Sequence, residues 1–188
     1  TSKSSTNYLR DYVFLFGMGG IIIILDQATK TLVRRNLALG EWWSPWDWLE
    51  PYVRIVNWKN TCAAFGILPS LGDLIAILAV VVAIAIVYYF PGVPSEDWTL
   101  KLAMGLTFGG ALGNLIDRLT IGWVTDYMSI WRFPVFNVAD FCITLGVIVL
   151  LLGVWSQERK EGKTADLEEE ELPTEASSDP VGQENVSE

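Results

Sequence analysis

Twenty consecutive residues, Leu71–Phe90 (LGDLIAILAVVVAIAIVYYF), carry a single charge, Asp73, near their start. At about 1.5 Å of rise per residue, about 20 apolar residues are what a helix needs to cross the hydrocarbon of a bilayer. Lipid offers the backbone no hydrogen-bond partners, so such a run constrains the chain to a helical membrane protein. Three more segments fit that frame. Tyr12–Leu25 (YVFLFGMGGIIIIL) is apolar and continues as helix through DQATKTLV to Val33. Leu100–Leu119 is apolar but studded with glycine, with Lys101 at its start and Asn114, Asp117 and Arg118 near its end. Val138–Trp155 holds Asp140 alone near its start. The first segment also has the length of a secretory signal core, but no small-residue cleavage site follows it, and Asp26, Gln27 and Lys30 come directly after. It reads as a retained helix. The expected fold is an all-α membrane protein of four transmembrane helices.

Composition agrees: 51% of residues are hydrophobic and the mean hydropathy is +0.34. The net charge of −9 is unevenly spread. Residues 157–188 hold 11 acidic and 3 basic side chains, whereas residues 1–156 are close to neutral. The chain therefore divides into a membrane domain, 1–156, and an acidic tail, 157–188, whose composition predicts disorder. No nucleic-acid partner is expected. Histidine is absent, which excludes Ser-His-Asp and Cys-His catalysis and any His-ligated metal site. Cys62 and Cys142 match no zinc or redox spacing and read as two inert thiols rather than one bridge. Neither a metal nor a cofactor is expected.

The tryptophans mark boundaries. Trp98 and Trp155 flank segment ends, Trp123 and Trp131 lie between the third and fourth segments, and Trp42, Trp43, Trp46 and Trp48 crowd one stretch. Indole rings concentrate at the headgroup level, so EWWSPWDWLEPY reads as a segment lying on the membrane surface or packed on its own protein. Tyr52–Trp58 (YVRIVNW) has strand character, followed by a polar turn, KNT. The region from about 41 to 70 is thus a small β-containing loop region. Lys and Arg are balanced between the two sides, seven against six, so charge does not set the orientation.

Four spans bring the end of the first, the start of the second, the end of the third and the start of the fourth to one face. Asp26, Lys30, Asp73, Asn114, Asp117, Arg118, Asp126 and Asp140 converge there. Asp73 reads as a helix-start carboxylate on the positive dipole end. Asp26–Lys30 is an i,i+4 pair, and Asp117 has Arg118 or Lys30 as its counter-charge. A third helix ending near Asp126 and a fourth starting near Asp140 bring those two carboxylates together. Neither has a basic neighbour in sequence. Two carboxylates at close range cannot easily both ionise; one keeps a proton while the other stays charged. Such a pair can deprotonate water and protonate a leaving amine, which is aspartic peptidase chemistry. Gly105, Gly109 and Gly113 repeat every four residues and form a groove for a neighbouring helix. The competing readings are a small transporter or proton- or cation-conducting bundle, and a scaffold whose ion pairs specify helix packing.

The blocks DQATK (26–30), NTCAAFG (60–66), GGALGNLIDRL (109–119), VTDY (124–127) and FNVAD (136–140) stand in the order found in bacterial lipoprotein signal peptidase, and from about residue 10 to 156 the chain resembles that family. The resemblance implies a four-helix aspartic endopeptidase of the bacterial inner membrane. Both termini would be cytoplasmic, and the active site would lie near the outer face with the β-containing loop region. It implies Asp126 and Asp140 as the catalytic dyad, with Asp26, Lys30, Asn60, Asn114, Arg118 and Asn137 in support. The implied substrate is a diacylglyceryl-modified prolipoprotein, cut just before the lipidated cysteine. The implied surroundings are the lipid bilayer, with a monomer favoured. The Trp-rich segment and the first-loop strand would clamp that substrate. One position departs from the family pattern: Cys62 stands where glycine is usual.

Overall fold

The structure, a computed structural model, describes residues 5–61 and 71–171. The chain divides into two units, Thr1–Gly153 and Val154–Glu188. Four helices and three strands make up the described residues: α1 (Ser5–Asn36), β1 (Trp42–Trp43), β2 (Val53–Asn60), α2 (Leu71–Tyr89), α3 (Trp98–Ile121), β3 (Val124–Ile130) and α4 (Val138–Glu171). A 3₁₀ turn, Phe90–Gly92, closes α2 where Pro91 stops the helix.

Among the described residues, three helices are long and apolar enough to cross a membrane: Tyr8–Asn36, Gly72–Gly92 and Val138–Ser156. The expected third span, α3, has 24 residues but differs in character. It carries Lys101, Asp117 and Arg118, and twelve of its residues are buried. Lys101, Asn114 and Asp117 are buried within the protein, which is where ionisable side chains in membrane bundles belong. Asp97 caps its start by accepting from the Leu100 N–H at 3.0 Å.

The glycine stripe explains how α1 and α3 meet. A Cβ on Gly105, Gly109 or Gly113 would stand 2.7, 2.8 and 2.8 Å from Met18, Ile22 and Asp26 respectively. Both sets step by four, so the two helices run in the same direction with their backbones close. The next step pairs Lys30 with Asp117, Nζ to Oδ2 at 3.2 Å. Close backbone approach therefore ends in a buried ion pair. At the other end of the same seam, Lys101 Nζ meets Asp11 Oδ1 at 2.6 Å.

Two expectations change. Helix α3 does not reach Asp126: Gly122, at φ +81°, ends it, and Asp126 lies inside β3. A left-handed cap is cheap for glycine, and the following VTDYMSI offers Val124, Thr125, Tyr127 and Ile130, residue types that favour a strand. Likewise Lys59 and Asn60, read as a turn, remain in β2 and pair with Thr125 and Val124. The Trp-rich stretch supplies β1, an edge strand against β2, so the sheet order is β1-β2-β3, all antiparallel. Trp42, Trp43, Trp46 and Trp48 are exposed.

In the second unit α4 continues as helix to Glu171, where disorder was expected from residue 157. Glu, Lys, Arg, Leu and Ala dominate that stretch and are strong helix formers. Residues 172–188, and Cys62 with the rest of its block to Gly66, lie outside the described residues. Cys142 is a buried free thiol.

Candidate active site

The stretch between Asp126 and Asp140 folds back sharply. Met128 and Phe136 form a bridge, with Met128 N–H donating to Phe136 O at 2.8 Å. The return sets Asn137 beside β3 just before α4 begins. Asp140 falls in the first turn of α4, where the helix dipole favours a negative charge.

Asn137 links the two carboxylates. Its Nδ2 donates to Asp126 Oδ1 at 2.7 Å, its backbone N–H donates to Asp140 Oδ2 at 3.2 Å, and its Oδ1 accepts from the Asp140 N–H at 2.9 Å. Asp126 also accepts from Asn60 Nδ2 at 2.8 Å. Asn60 sits opposite Val124, so it reaches Asp126 diagonally on one face of the sheet. Asp140 accepts from Asn114 Nδ2 at 2.7 Å. Asn114 Oδ1 takes hydrogen bonds from Lys30 Nζ at 2.9 Å and Asn137 Nδ2 at 3.1 Å, which orients its amide toward Asp140.

Behind these amides lies a buried charge cluster. Lys30 is wholly inaccessible and meets Asp26 Oδ2 at 2.8 Å as well as Asp117. Asp26 Oδ1 accepts from the Ala139 N–H at 3.0 Å, tying α1 to the start of α4. Asp117 Oδ2 accepts from the Thr125 N–H at 3.0 Å, tying α3 to β3. Among the described residues no buried side-chain nitrogen or oxygen lacks a partner. A desolvated network is favourable only when its members are satisfied in this way.

The two carboxylates differ in surroundings. Asp126 is 2% exposed, and burial pushes its pKa up to about 6, aided by the charge of Asp140 and opposed by the Asn60 and Asn137 hydrogen bonds and by Lys30. Asp140 is half-buried at a helix start. Of the two, Asp126 is the carboxyl that burial makes harder to ionise.

Of the residues singled out in the sequence, Asp126, Asp140, Asn60, Asn114 and Asn137 come together directly, with Asp26 and Lys30 one layer behind. Arg118 is placed differently. Its Nη1 donates to Asn114 O at 3.3 Å, and it borders a cavity of about 230 Å³ with Asn60, Thr61, Asp73 and Trp123. Asp117 takes Lys30 and, at 3.4 Å, Arg34 as counter-charges. Gln27, Thr29, Arg34, Thr125 and Tyr127 also join the network and were not singled out. Helical spacing held the signal for Arg34, which lies four residues beyond Lys30 and eight beyond Asp26.

Fold and site define a class: a helical membrane protein whose polar cluster, built around paired carboxylates, sits where helices give way to a small sheet. Comparison with known proteins gives the particular family. A family model described as Signal peptidase (SPase) II matches residues 18–156. A lipoprotein signal peptidase of Desulfitobacterium hafniense is 38% identical over 147 residues, covering 77% of this chain and 95% of that one. A lipoprotein signal peptidase of Halalkalibacterium halodurans is 40% identical over 147 residues, covering 76% and 92%. A solved structure described as a bacterial membrane enzyme, determined by the in meso method at 2.3 Å, superposes with a TM-score of 0.68 at 29% identity, over 77% of this chain and 88% of that one. The chain belongs to the signal peptidase II family, aspartic-type membrane peptidases of bacteria. The transporter and scaffold readings fall away.

Proposed function

We propose that Asp126 and Asp140 are the catalytic pair of a lipoprotein signal peptidase that cuts a diacylglyceryl-modified prolipoprotein immediately before its lipidated cysteine. The observation that carries the reading is Asn137 hydrogen-bonded to both carboxylates at once. The reactive form of the pair carries one proton, on Asp126, the carboxyl whose pKa burial raises. Asp140 takes a proton from water, and the water oxygen bonds to the scissile carbonyl carbon. Asp126 gives its proton to the carbonyl oxygen. When the tetrahedral species collapses, Asp126 takes a proton back from it, the C–N bond breaks, and Asp140 passes its proton to the leaving amine. The pair returns to its starting state.

Asn60, Asn114 and Asn137 hold the carboxylates in place, Asp26 and Lys30 hold Asn114 and the start of α4, and Arg118 faces the incoming peptide from its cavity. Helix α3 completes four spans in the plasma membrane, with both termini cytoplasmic and the site near the outer face, and the protein works as a monomer. A site at that level suits a scissile bond next to a lipid anchor. The exposed tryptophans of residues 42–48 sit at the headgroups and steady the substrate there.

The test is incubation of the protein in lipid with a diacylglyceryl-modified prolipoprotein, beside Asp126→Asn. Cleavage before the modified cysteine by the unaltered chain alone is the expected result. No cleavage by the unaltered chain, or equal cleavage by Asp126→Asn, defeats the reading.

A further inference from the structure

Asp126 has neighbours in β3 whose side chains point the other way, because successive residues of a strand face opposite sides. Thr125 is 1% and Tyr127 5% exposed, and both reach α1. Arg34 Nη1 donates to Thr125 Oγ1 at 3.0 Å, and Tyr127 Oη donates to Thr29 Oγ1 at 2.7 Å. We propose that Thr125 and Tyr127, held by Arg34 and Thr29, are positioning residues that aim the Asp126 carboxylate at Asn137 and Asn60. The proposal rests on the reading of Asp126 as catalytic and adds what orients it.

Three observations support it. First, the buried Tyr127 borders a cavity of about 480 Å³ that Leu32, Val33, Trp43 and Ile55 also line, and its hydroxyl is fixed to α1 through Thr29. On the cavity side the ring has fewer packing partners, so the hydroxyl bond adds restraint there. Second, Thr125 is tied at every polar atom. Its N–H donates to Asp117 Oδ2, its hydroxyl oxygen accepts from Arg34 Nη1, and its carbonyl accepts from Asn137 Nδ2 at 3.4 Å. Third, Arg34 grips Asp117 and Thr125 with the same Nη1 nitrogen, so the strand is registered against the charge cluster rather than against lipid. Burial raises the Tyr127 pKa above its ordinary value, which keeps the phenol a donor. The groups facing Asp126 itself are Asn60 from β2, Asn137 and Asp140 from the start of α4, and Lys30 from α1.

The experiment compares the full chain in lipid nanodiscs with Thr125→Val/Tyr127→Phe, Thr125→Ser and Asp126→Asn, using a synthetic diacylglyceryl-modified prolipoprotein. Misplacing a reacting group by about 1 Å costs up to about a hundredfold. The double variant is expected to lose about tenfold in kcat with KM within about twofold. The alkaline limb of its kcat/KM profile moves to lower pH, because a loosened strand lets water reach Asp126 and removes the burial that raises its pKa. Thr125→Ser restores turnover. Amide exchange across residues 124–128 rises in the double variant while α2 is unchanged. Unchanged kcat and an unmoved limb overturn the proposal even where exchange rises. Failure of the unaltered chain to cleave sinks the functional reading instead, and exchange, which needs no turnover, then decides whether these two contacts hold the strand.

Discussion

The seam between α1 and α3 has a buried lysine at each end, and the two differ in what they touch. Lys101 meets Asp11 where α3 begins. Lys30 meets Asp26 and Asp117 and, through Asn114, the carboxylate of Asp140. Both pairs join the same two helices across the same glycine stripe. A buried ion pair alone is weak grounds for stability, since desolvation offsets the attraction. What separates the two ends is connection: one pair continues through amides into the site, while the contact at Lys101 lies at the far end of the seam. Burial of charge is common to both ends; among the described contacts, hydrogen bonds lead from the Lys30 end to the proposed dyad.

The largest test of that contrast is at the site itself. Asp126→Asn and Asp140→Asn should each lower kcat about a thousandfold, the scale of lost acid or base catalysis, with melting in detergent little changed. A melting loss as large as the activity loss would make the pair structural after all.

Lys30→Met and Lys101→Met compare the two ends directly. Each takes a cation away from a buried carboxylate, Asp26 in one case and Asp11 in the other, and breaking a buried pair costs about 3–5 kcal/mol. Thermal unfolding in lipid should register both. Only Lys30→Met should also lower turnover per folded molecule, by about a hundredfold as Asn114 loses its orientation. Equal turnover in the two variants would erase the distinction.

Glycine substitutions repeat the comparison more gently. An added methyl at Gly113 stands 2.8 Å from Asp26 Oδ2, inside the charge cluster, whereas at Gly105 it meets the Met18 sulfur at 2.7 Å. Methionine yields readily. Gly113→Ala should cost about tenfold in kcat and Gly105→Ala less than about twofold, read in the same cleavage assay.

The smallest effect is on pH. The kcat/KM profile should fall on its alkaline side with a midpoint about 6, as Asp126 gives up its proton. The Asn60 hydrogen bond lowers that value, so Asn60→Ala should move the limb to higher pH. A shift to lower pH would show that Asn60 serves some other end.

Much of the site was legible because helical spacing is a strong signal. Asp26 and Lys30 four apart, the stripe Gly105–Gly109–Gly113, and Asp140 alone at a helix start all stand in the sequence as they stand in the structure. Sheet contacts were harder to read. Asp126 was assigned to a helix end and Asn60 to a turn because a short strand at the edge of a membrane bundle has no long apolar alternation to announce it. The partners of Asp126 also depend on register, which no local pattern in β2 reveals, the more so with the irregularity between Ile55 and Trp58. Arg34 is marked only by its helical spacing from Lys30, and Thr125 and Tyr127 carry no local signal, because ordinary surface chemistry uses the same residue types.

By itself, the sequence determined the membrane class, the helical segments and the family of this chain, since apolar length and residue order are properties of one dimension. Only the tertiary structure decided that Asn137 stands between the two carboxylates, that Lys30 rather than Arg118 faces Asp117, and that Asp126 leaves a strand rather than a helix. Those outcomes depend on how far apart elements settle against one another, and that distance is set by packing glycine on α3 against α1 and by the pairing of β2 with β3.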